Sequence, residues 1–405
     1  MHYTILEYEP PHRVVLEGRA DTVHALDEIR FEETSGGCRI DYQADISLKG
    51  LGGTLEPLLG GVLDKVGKKA VGGLQKALSA SPEAPAESAI RNLLDRLILP
   101  GAVGFTRLGY EHRKKSWKPL ATRLDGKTAI VTGANSGLGR DTSERLAELG
   151  ARVIMVGRNP ASLQQALAEI AETTGSKQLG MKVADLSLVS EVKKLCRQLL
   201  KEEDNIHILV NNAAVLPLER TLTTEGLETT FATDLLSPYL LTELLLPRLK
   251  QSAPSRIINV LSGGMYLARL NLDDLQYEKG DFDGSRAYAR AKRGLMMMTE
   301  TWSEQLQGSR VAVNAMHPGW ANTPGVRKSL PAFHRQMNKL LRSPQQGADT
   351  IVWLAAAPEA AEVSGKFWLD REPHLNAIFP GTAGSPDERN QLRAVLEQLA
   401  QQGIA

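Results

Sequence analysis

From residue 127 onward, short continuous apolar runs alternate with longer stretches whose apolar positions recur every three to four residues. The short runs are TAIVT, RVIMVG, MKVAD, IHILVN, RIINVL, RVAVNAM and GKFWL. Runs that are apolar throughout suit strands buried on both faces, and their alternation with helical stretches predicts a parallel sheet covered by helices on both sides. The expected fold class is α/β with a doubly wound parallel sheet, and ligands in such sheets bind at the carboxyl ends of the strands.

The chain before that region follows another pattern. RVVLEG, TVHALDEIRFEET and CRIDYQADISL, within residues 13 to 49, are β-rich runs separated by short polar breaks and predict an antiparallel meander. The period then changes. Leu55, Leu59, Val62, Leu63, Val66, Ala70, Leu74 and Leu78 form one helical stripe, with Lys65, Lys68, Lys69 and Lys76 mostly off it. Gly60, Gly61, Gly67, Gly72 and Gly73 each cost such a helix roughly 1 kcal/mol, so it is expected to depend on packing against the sheet. LSASPEAPAES, residues 78 to 88, reads as a linker. The apolar, then basic and aromatic segment up to Pro119 reads as a connector helix docking on the following domain, in preference to a peripheral membrane contact.

Composition narrows the function classes. The 405 residues are 42% hydrophobic, enough for at least one large core. Lys and Arg number 48 against 47 Asp and Glu, which gives no electrostatic reason to expect a nucleic-acid partner. Cys38 and Cys196 stand far apart, and neither they nor the eight histidines show metal or triad spacing, so no metal is expected. With no leader-like start and no apolar run of membrane-spanning length, the expected location is cytoplasmic.

Thr132-Gly133-Ala134-Asn135-Ser136-Gly137-Leu138-Gly139 directly follows TAIVT and opens the helical stretch RDTSERLAELG. Glycines there let the backbone turn tightly and approach a pyrophosphate, whose charge meets the helix N-terminus. Gly133, Asn135, Ser136, Gly137, Leu138 and Gly139 are therefore candidate cofactor contacts. Arg158, in VGRNP, ends the second strand where many dinucleotide enzymes carry an acid for the ribose 2′-hydroxyl. A cation favours a 2′-phosphate, hence NADP. Asp185 and Leu186, at the end of the third strand, are placed for the adenine edge or to cap the helix beginning DLSLVSEV. Asn212, Ala213 and Ala214 follow IHILV, where small residues let backbone pass close to the cofactor. Tyr288 and Lys292 are i and i+4 on an expected helix and so share a face. The adjacent ammonium is expected to stabilise phenolate and lower the pKa of Tyr288, the candidate proton donor. Tyr266 and Tyr277 have no lysine four residues on.

TGANSGLG, Asn211-Asn212-Ala213-Ala214, Ser262, Tyr288-Ala-Arg-Ala-Lys292 and Pro318-Gly319 together resemble the short-chain dehydrogenase/reductase family, over roughly residues 90 to 400. The resemblance implies a Rossmann catalytic domain over 126–380, followed by a helical tail over 381–405, that moves hydride between a nicotinamide cofactor and a carbonyl or alcohol. It implies that Lys292 also holds the nicotinamide ribose and that Ser262 hydrogen-bonds the substrate oxygen. Pro318 and Gly319, with Thr323, would fix the nicotinamide carboxamide. Ala214 stands where the family usually has glycine. Asp234, in FATDLLSPY, stands where it usually has an asparagine whose backbone holds a water linked to the lysine. A carboxylate there would favour a protonated Lys292 while weakening the positive field at Tyr288, and activity is expected to survive.

VRKSLPAFHRQMNKLLRSP occupies the family's variable substrate region. Leu330, Phe333, Met337, Leu340 and Leu341 could form an apolar face there, or simply pack on the core, so the expected substrate is a small hydrophobic carbonyl or alcohol. Met296, Met297 and Met298 lie on the Tyr288 helix, a surface that pairs subunits in many relatives, and read as core filling. Residues 1–79 resemble the last part of a START-like (SRPBCC, polyketide cyclase) α+β fold with about half the usual domain present. The alternative to an enzyme is a cofactor-binding scaffold or lipid-responsive regulator.

Overall fold

A computed structural model of the chain describes residues 2–9, 12–19, 23–34, 37–48, 102–378 and 381–402. The expected helical stripe at 55–78, the linker at 78–88 and the apolar start of the connector lie outside the described residues. The chain divides into two units, one up to Pro100 and one from Gly101.

The first unit is a four-stranded antiparallel sheet in chain order, β1 (His2–Glu9), β2 (Arg13–Arg19), β3 (Val23–Thr34) and β4 (Gly37–Leu48). The meander predicted from residue 13 is present, with an additional strand before it. Its register against β2 shifts between Ile5 and Glu7, leaving Leu6 unpaired and half exposed. That bulge breaks the period-2 pattern on which a strand is recognised.

Among the described residues, the second unit holds eight strands. They are β5 (Thr128–Thr132), β6 (Arg152–Gly157), β7 (Leu179–Val183), β8 (Ile208–Asn211), β9 (Ser255–Val260), β10 (Val311–Met316), β11 (Phe367–Leu369) and β12 (Glu372–His374). Their spatial order is β7-β6-β5-β8-β9-β10-β11-β12, all parallel except the β12 edge. This is the doubly wound Rossmann arrangement, and the strand order reverses between β5 and β8, where a crevice opens at the strands' carboxyl ends.

Among the described residues, ten helices of six or more residues accompany this sheet. These are α1 (Arg107–Lys114), α2 (Gly137–Glu148), α3 (Pro160–Thr174), α4 (Val189–Glu202), α5 (Ser237–Gln251), α6 (Gly284–Gln305), α7 (Pro324–Ser329), α8 (Pro331–Met337), α9 (Pro344–Ala356) and α10 (Pro386–Gln402). On one face Val131, Met155, Val210, Ile258 and Met316 pack with Leu146 of α2, Leu163 of α3 and Ile351 of α9. The intervening strand residues Ile130, Ile154, Leu209, Ile257 and Val313 are also buried, so both faces are covered and the strands need no polar alternation. Local signals set the helix starts: Asn159 accepts from the Ser162 N–H ahead of Pro160, and Ser343 with Gln346 forms a capping box.

Helix α10 lies on α6. Leu392 and Leu396 are fully buried, Arg389 pairs with Glu300 and Glu304, and Met296, Met297 and Met298 are inside the protein. The segment after Thr323 forms two short helices, because Pro331 interrupts the hydrogen-bond ladder at Leu330. Among the apolar residues of that segment Leu341 is buried, while Leu330, Phe333, Met337 and Leu340 are half-buried.

Candidate active site

The crevice between β5 and β8 is laced shut below the glycine loop by a residue that the motif reading passed over. The Thr132 hydroxyl accepts from the N–H groups of Asn212 (2.9 Å) and Ala213 (3.0 Å) and donates to Val210 O (3.2 Å). Asn212 Nδ2 donates to Thr132 O at 2.7 Å. Gly133 and Gly137 have φ of 64° and 55°, a region that side chains disfavour. A Cβ on Gly139 would lie 2.3 Å from Gly133 O and 2.5 Å from Asn212 Nδ2. The loop is therefore bare backbone above the N-terminus of α2, and Ser136, at the N-cap, is exposed with no side-chain cap bond. Such a cradle fits a pyrophosphate.

Around it, Asn135 donates to Ser162 Oγ (3.2 Å), and Thr323 caps α7 while facing Gly137. Leu138 packs against Gly347 of α9, a structural contact. Arg158 is exposed at the end of β6 and makes no ion pair among the described residues. Ala214 is exposed just beyond β8. Asp185 accepts from the Ser187 N–H and hydroxyl in an Asx turn, beside the buried Leu186. It does not cap α4. Glu225, far away in sequence, accepts from Val189 and Ser190 N–H groups and does so instead.

The Tyr288 side of the crevice is carried by α6, whose start is fixed by Asp283 accepting from the Arg286 N–H at 3.1 Å. A buried amide ladder seats this helix on the sheet: Asn211 donates to Asn259 (2.8 Å) and Asn259 to Thr299 of α6 (2.9 Å). Three sequence-distant elements, β8, β9 and α6, thus meet. The Ser262 hydroxyl hydrogen-bonds the Tyr288 phenol and also accepts from the Gly264 N–H (3.3 Å). Lys292 Nζ is buried 5.4 Å from the Tyr288 ring centre. Asp234 sits fully buried in a π turn, Ala232–Leu236, at the entry to α5. Its Oδ1 accepts from the Val215 N–H (2.8 Å), and its Oδ2 lies 3.7 Å from Lys292 Nζ, an ion pair longer than a hydrogen bond.

The electrostatics reverse one sequence-based expectation. Burial, then the Asp234 carboxylate, push the Tyr288 pKa up, and the Ser262 hydrogen bond opposes them only in part. Lys292 is itself pushed down by burial, against the pull of Asp234. Burial holds Asp234 up at about 7. The carboxylate opposite the ammonium works against the positive field expected to favour phenolate. Tyr266 and Tyr277, the other phenols nearby, are engaged elsewhere: Tyr266 donates to Leu375 O (2.7 Å) and Tyr277 stacks under Arg290.

Beyond β10 the Pro318-Gly319 turn, with Gly319 at φ 72°, rests on a buried arginine that local sequence gave no sign of. Arg342 forms a two-pronged ion pair with Asp370 (2.5 and 2.8 Å) and donates to the carbonyls of Gly104, Phe105, Thr106 and Pro318. A Cβ on Gly319 would lie 2.2 Å from Arg342 Nε, so only glycine fits over it. Among the described residues no cluster of His, Cys, Asp or Glu could hold a metal, and no helix is long and apolar enough to cross a membrane.

A sequence profile of the short chain dehydrogenases matches residues 127–273. The chain is 40% identical over 301 residues to human dehydrogenase/reductase SDR family member 12, covering 73% of this chain and 94% of that one. It is 36% identical over 290 residues to mouse retinol dehydrogenase 13, covering 68% and 86%. A crystal structure of an uncharacterised protein from Mycobacterium paratuberculosis superposes with a TM-score of 0.57 at 25% identity, over 70% of this chain and 97% of that one. With a relative this similar spanned almost end to end, and with the Rossmann sheet and its crevice in place, the chain belongs to the short-chain dehydrogenase/reductase family of oxidoreductases.

Proposed function

We propose that the protein is an NADP-dependent reductase of hydrophobic aldehydes or ketones. The observation that carries this reading is the convergence of Ser262, Tyr288 and Lys292, from two separate elements, in a unit that also holds a bare glycine loop. Gly133 to Gly139 and the start of α2 would hold the pyrophosphate, Arg158 the 2′-phosphate, and Asp185 with Leu186 the adenine edge. Asn212, Ala213, Ala214, Lys292, Pro318, Gly319 and Thr323 would hold the nicotinamide half. The nicotinamide, when bound, supplies the hydride.

The remaining chemistry falls to side chains of this chain. Ser262 orients the carbonyl oxygen. Tyr288 donates its proton to that oxygen as the alcohol forms; a phenol carries that proton at neutral pH without any shift, and the Ser262 hydrogen bond partly offsets the burial that weakens it as an acid. Lys292 places positive charge where the phenol is left negative. Retinol dehydrogenase 13 is named for a long apolar alcohol. The half-buried Phe333 and Met337 on α8, with Leu330 at the junction of α7 and α8, support an apolar substrate here too.

A second reading, a cofactor-binding scaffold with little turnover, rests on Asp234 opposing Lys292. NADPH oxidation with a panel including retinaldehyde separates the two. The enzyme reading expects turnover that falls about a thousandfold in Tyr288→Phe with NADPH affinity kept. NADPH binding without turnover on any panel member would instead establish the scaffold.

A further inference from the structure

Ser262 sits on a turn, Ser262-Gly263-Gly264, that β9 alone does not fix. A Cβ built on Gly263 would have as its three nearest neighbours His317 Nε2 (2.9 Å), His317 Cδ2 (3.3 Å) and Phe105 Cε2 (3.3 Å). The two rings meet edge to face, with centroids 4.5 Å apart. His317 directly follows β10 and is buried, and neither ring nitrogen has a hydrogen-bond partner among the described residues. Burial and the nearby charges of Arg342 and His374 hold its pKa down at about 3, so it is a neutral flat ring. From the other side the turn meets α6, where a Cβ on Gly264 would lie 3.6 Å from Ala289 Cβ, the residue after Tyr288.

We propose that Phe105 and His317 are positioning residues for Ser262, two rings wedged behind Gly263 that press the serine turn toward the helix carrying Tyr288. The proposal rests on the role given to Ser262 above. Phe105 comes from a segment more than twenty residues ahead of β5, and its carbonyl is pinned by the Trp320 N–H (2.8 Å) and Arg342 Nε (3.1 Å). Arg342 also reaches Pro318 O, so the wedge and the turn assigned to the carboxamide are fastened to one guanidinium. A buried imidazole with unused nitrogens is costly, and packing against a bare glycine accounts for a ring at this position.

The test compares Phe105→Ala and Phe105→Leu in the full-length protein. Displacing a substrate-orienting group by a fraction of an ångström costs on the order of tenfold or more in turnover. Phe105→Ala is expected to lower kcat with retinaldehyde by that factor, with the NADPH Kd within about twofold, and Phe105→Leu is expected to restore at least half of the lost turnover. Hydrogen–deuterium exchange supplies a readout independent of activity: peptides covering residues 260–268 should exchange faster in Phe105→Ala, and peptides covering 130–145 should not. Unchanged exchange at 260–268 would overturn the wedge, as would NADPH affinity falling in step with kcat. Absence of turnover in the unaltered protein would instead strike at the reductase reading, and the exchange experiment would still decide the wedge.

Discussion

The glycine loop between β5 and α2 and the group of side chains around α6 treat polar groups in opposite ways. On the loop side, the Thr132 hydroxyl and the Asn212 amide are engaged by neighbouring backbone, and the surface left for a ligand is mostly peptide, with the Ser136 side chain exposed. Around α6, ionisable groups are buried with incomplete partners: Asp234 Oδ2 and both His317 nitrogens lack hydrogen bonds among the described residues. Binding an anion needs shape and oriented N–H groups, which a rigid turn supplies. Moving a proton needs groups whose charge can change, and burial makes those changes sensitive to one another.

That contrast can be broken first on the loop. Gly139→Ala would drive a methyl group into Gly133 O and should raise the NADPH Kd about a hundredfold or more by fluorescence titration. Gly325→Ala, where the nearest atom to an added Cβ is 3.8 Å away, should leave it unchanged. A smaller effect is expected at the exposed Arg158. Arg158→Ala should reduce the kinetic preference for NADPH over NADH by about tenfold while leaving NADH kinetics intact. If NADH already served as well as NADPH in the unaltered protein, the 2′-phosphate assignment would fail.

The smallest change concerns pH. Below about 7 Asp234 carries its proton and Lys292 acts on Tyr288 unopposed, whereas above it the carboxylate makes negative charge on the phenol more costly. Carbonyl reduction should therefore slow as pH rises through 7. Asp234→Asn should flatten that limb while changing kcat by less than about tenfold at its optimum. A rise of tenfold or more would mark the carboxylate as a handicap to catalysis.

Much of the Rossmann unit was legible because its signals are local. A strand buried on both faces is apolar throughout, and a phosphate loop is glycine at fixed offsets. Tyr288 and Lys292 could be paired by helical period alone. What escaped notice was assembled across long separations. Arg342 and Asp370 are 28 residues apart, and the carbonyls Arg342 holds at 104 to 106 lie more than 230 residues away. Glu225 caps a helix that starts 36 residues earlier. Thr132 could have been found, since a hydroxyl at a buried strand end beside a bare glycine loop must bond something. The direction of the Tyr288 shift was missed because its largest cause is burial, which helical spacing does not report; the smaller opposition from Asp234 was legible from its place in FATDLLSPY.

Arg342 also sets where the catalytic unit can be cut. A fragment beginning at the glycine preceding β5 would retain every strand of the Rossmann sheet yet lose three of the four carbonyls that this guanidinium binds. Asp370 would still pair with it, but the packing beneath Pro318 and Gly319 would lose those contacts. For dissection, chimeras or crystallisation, the functional module includes residues 104 to 106, and the stretch leading into the sheet behaves as part of the enzyme rather than as its tether.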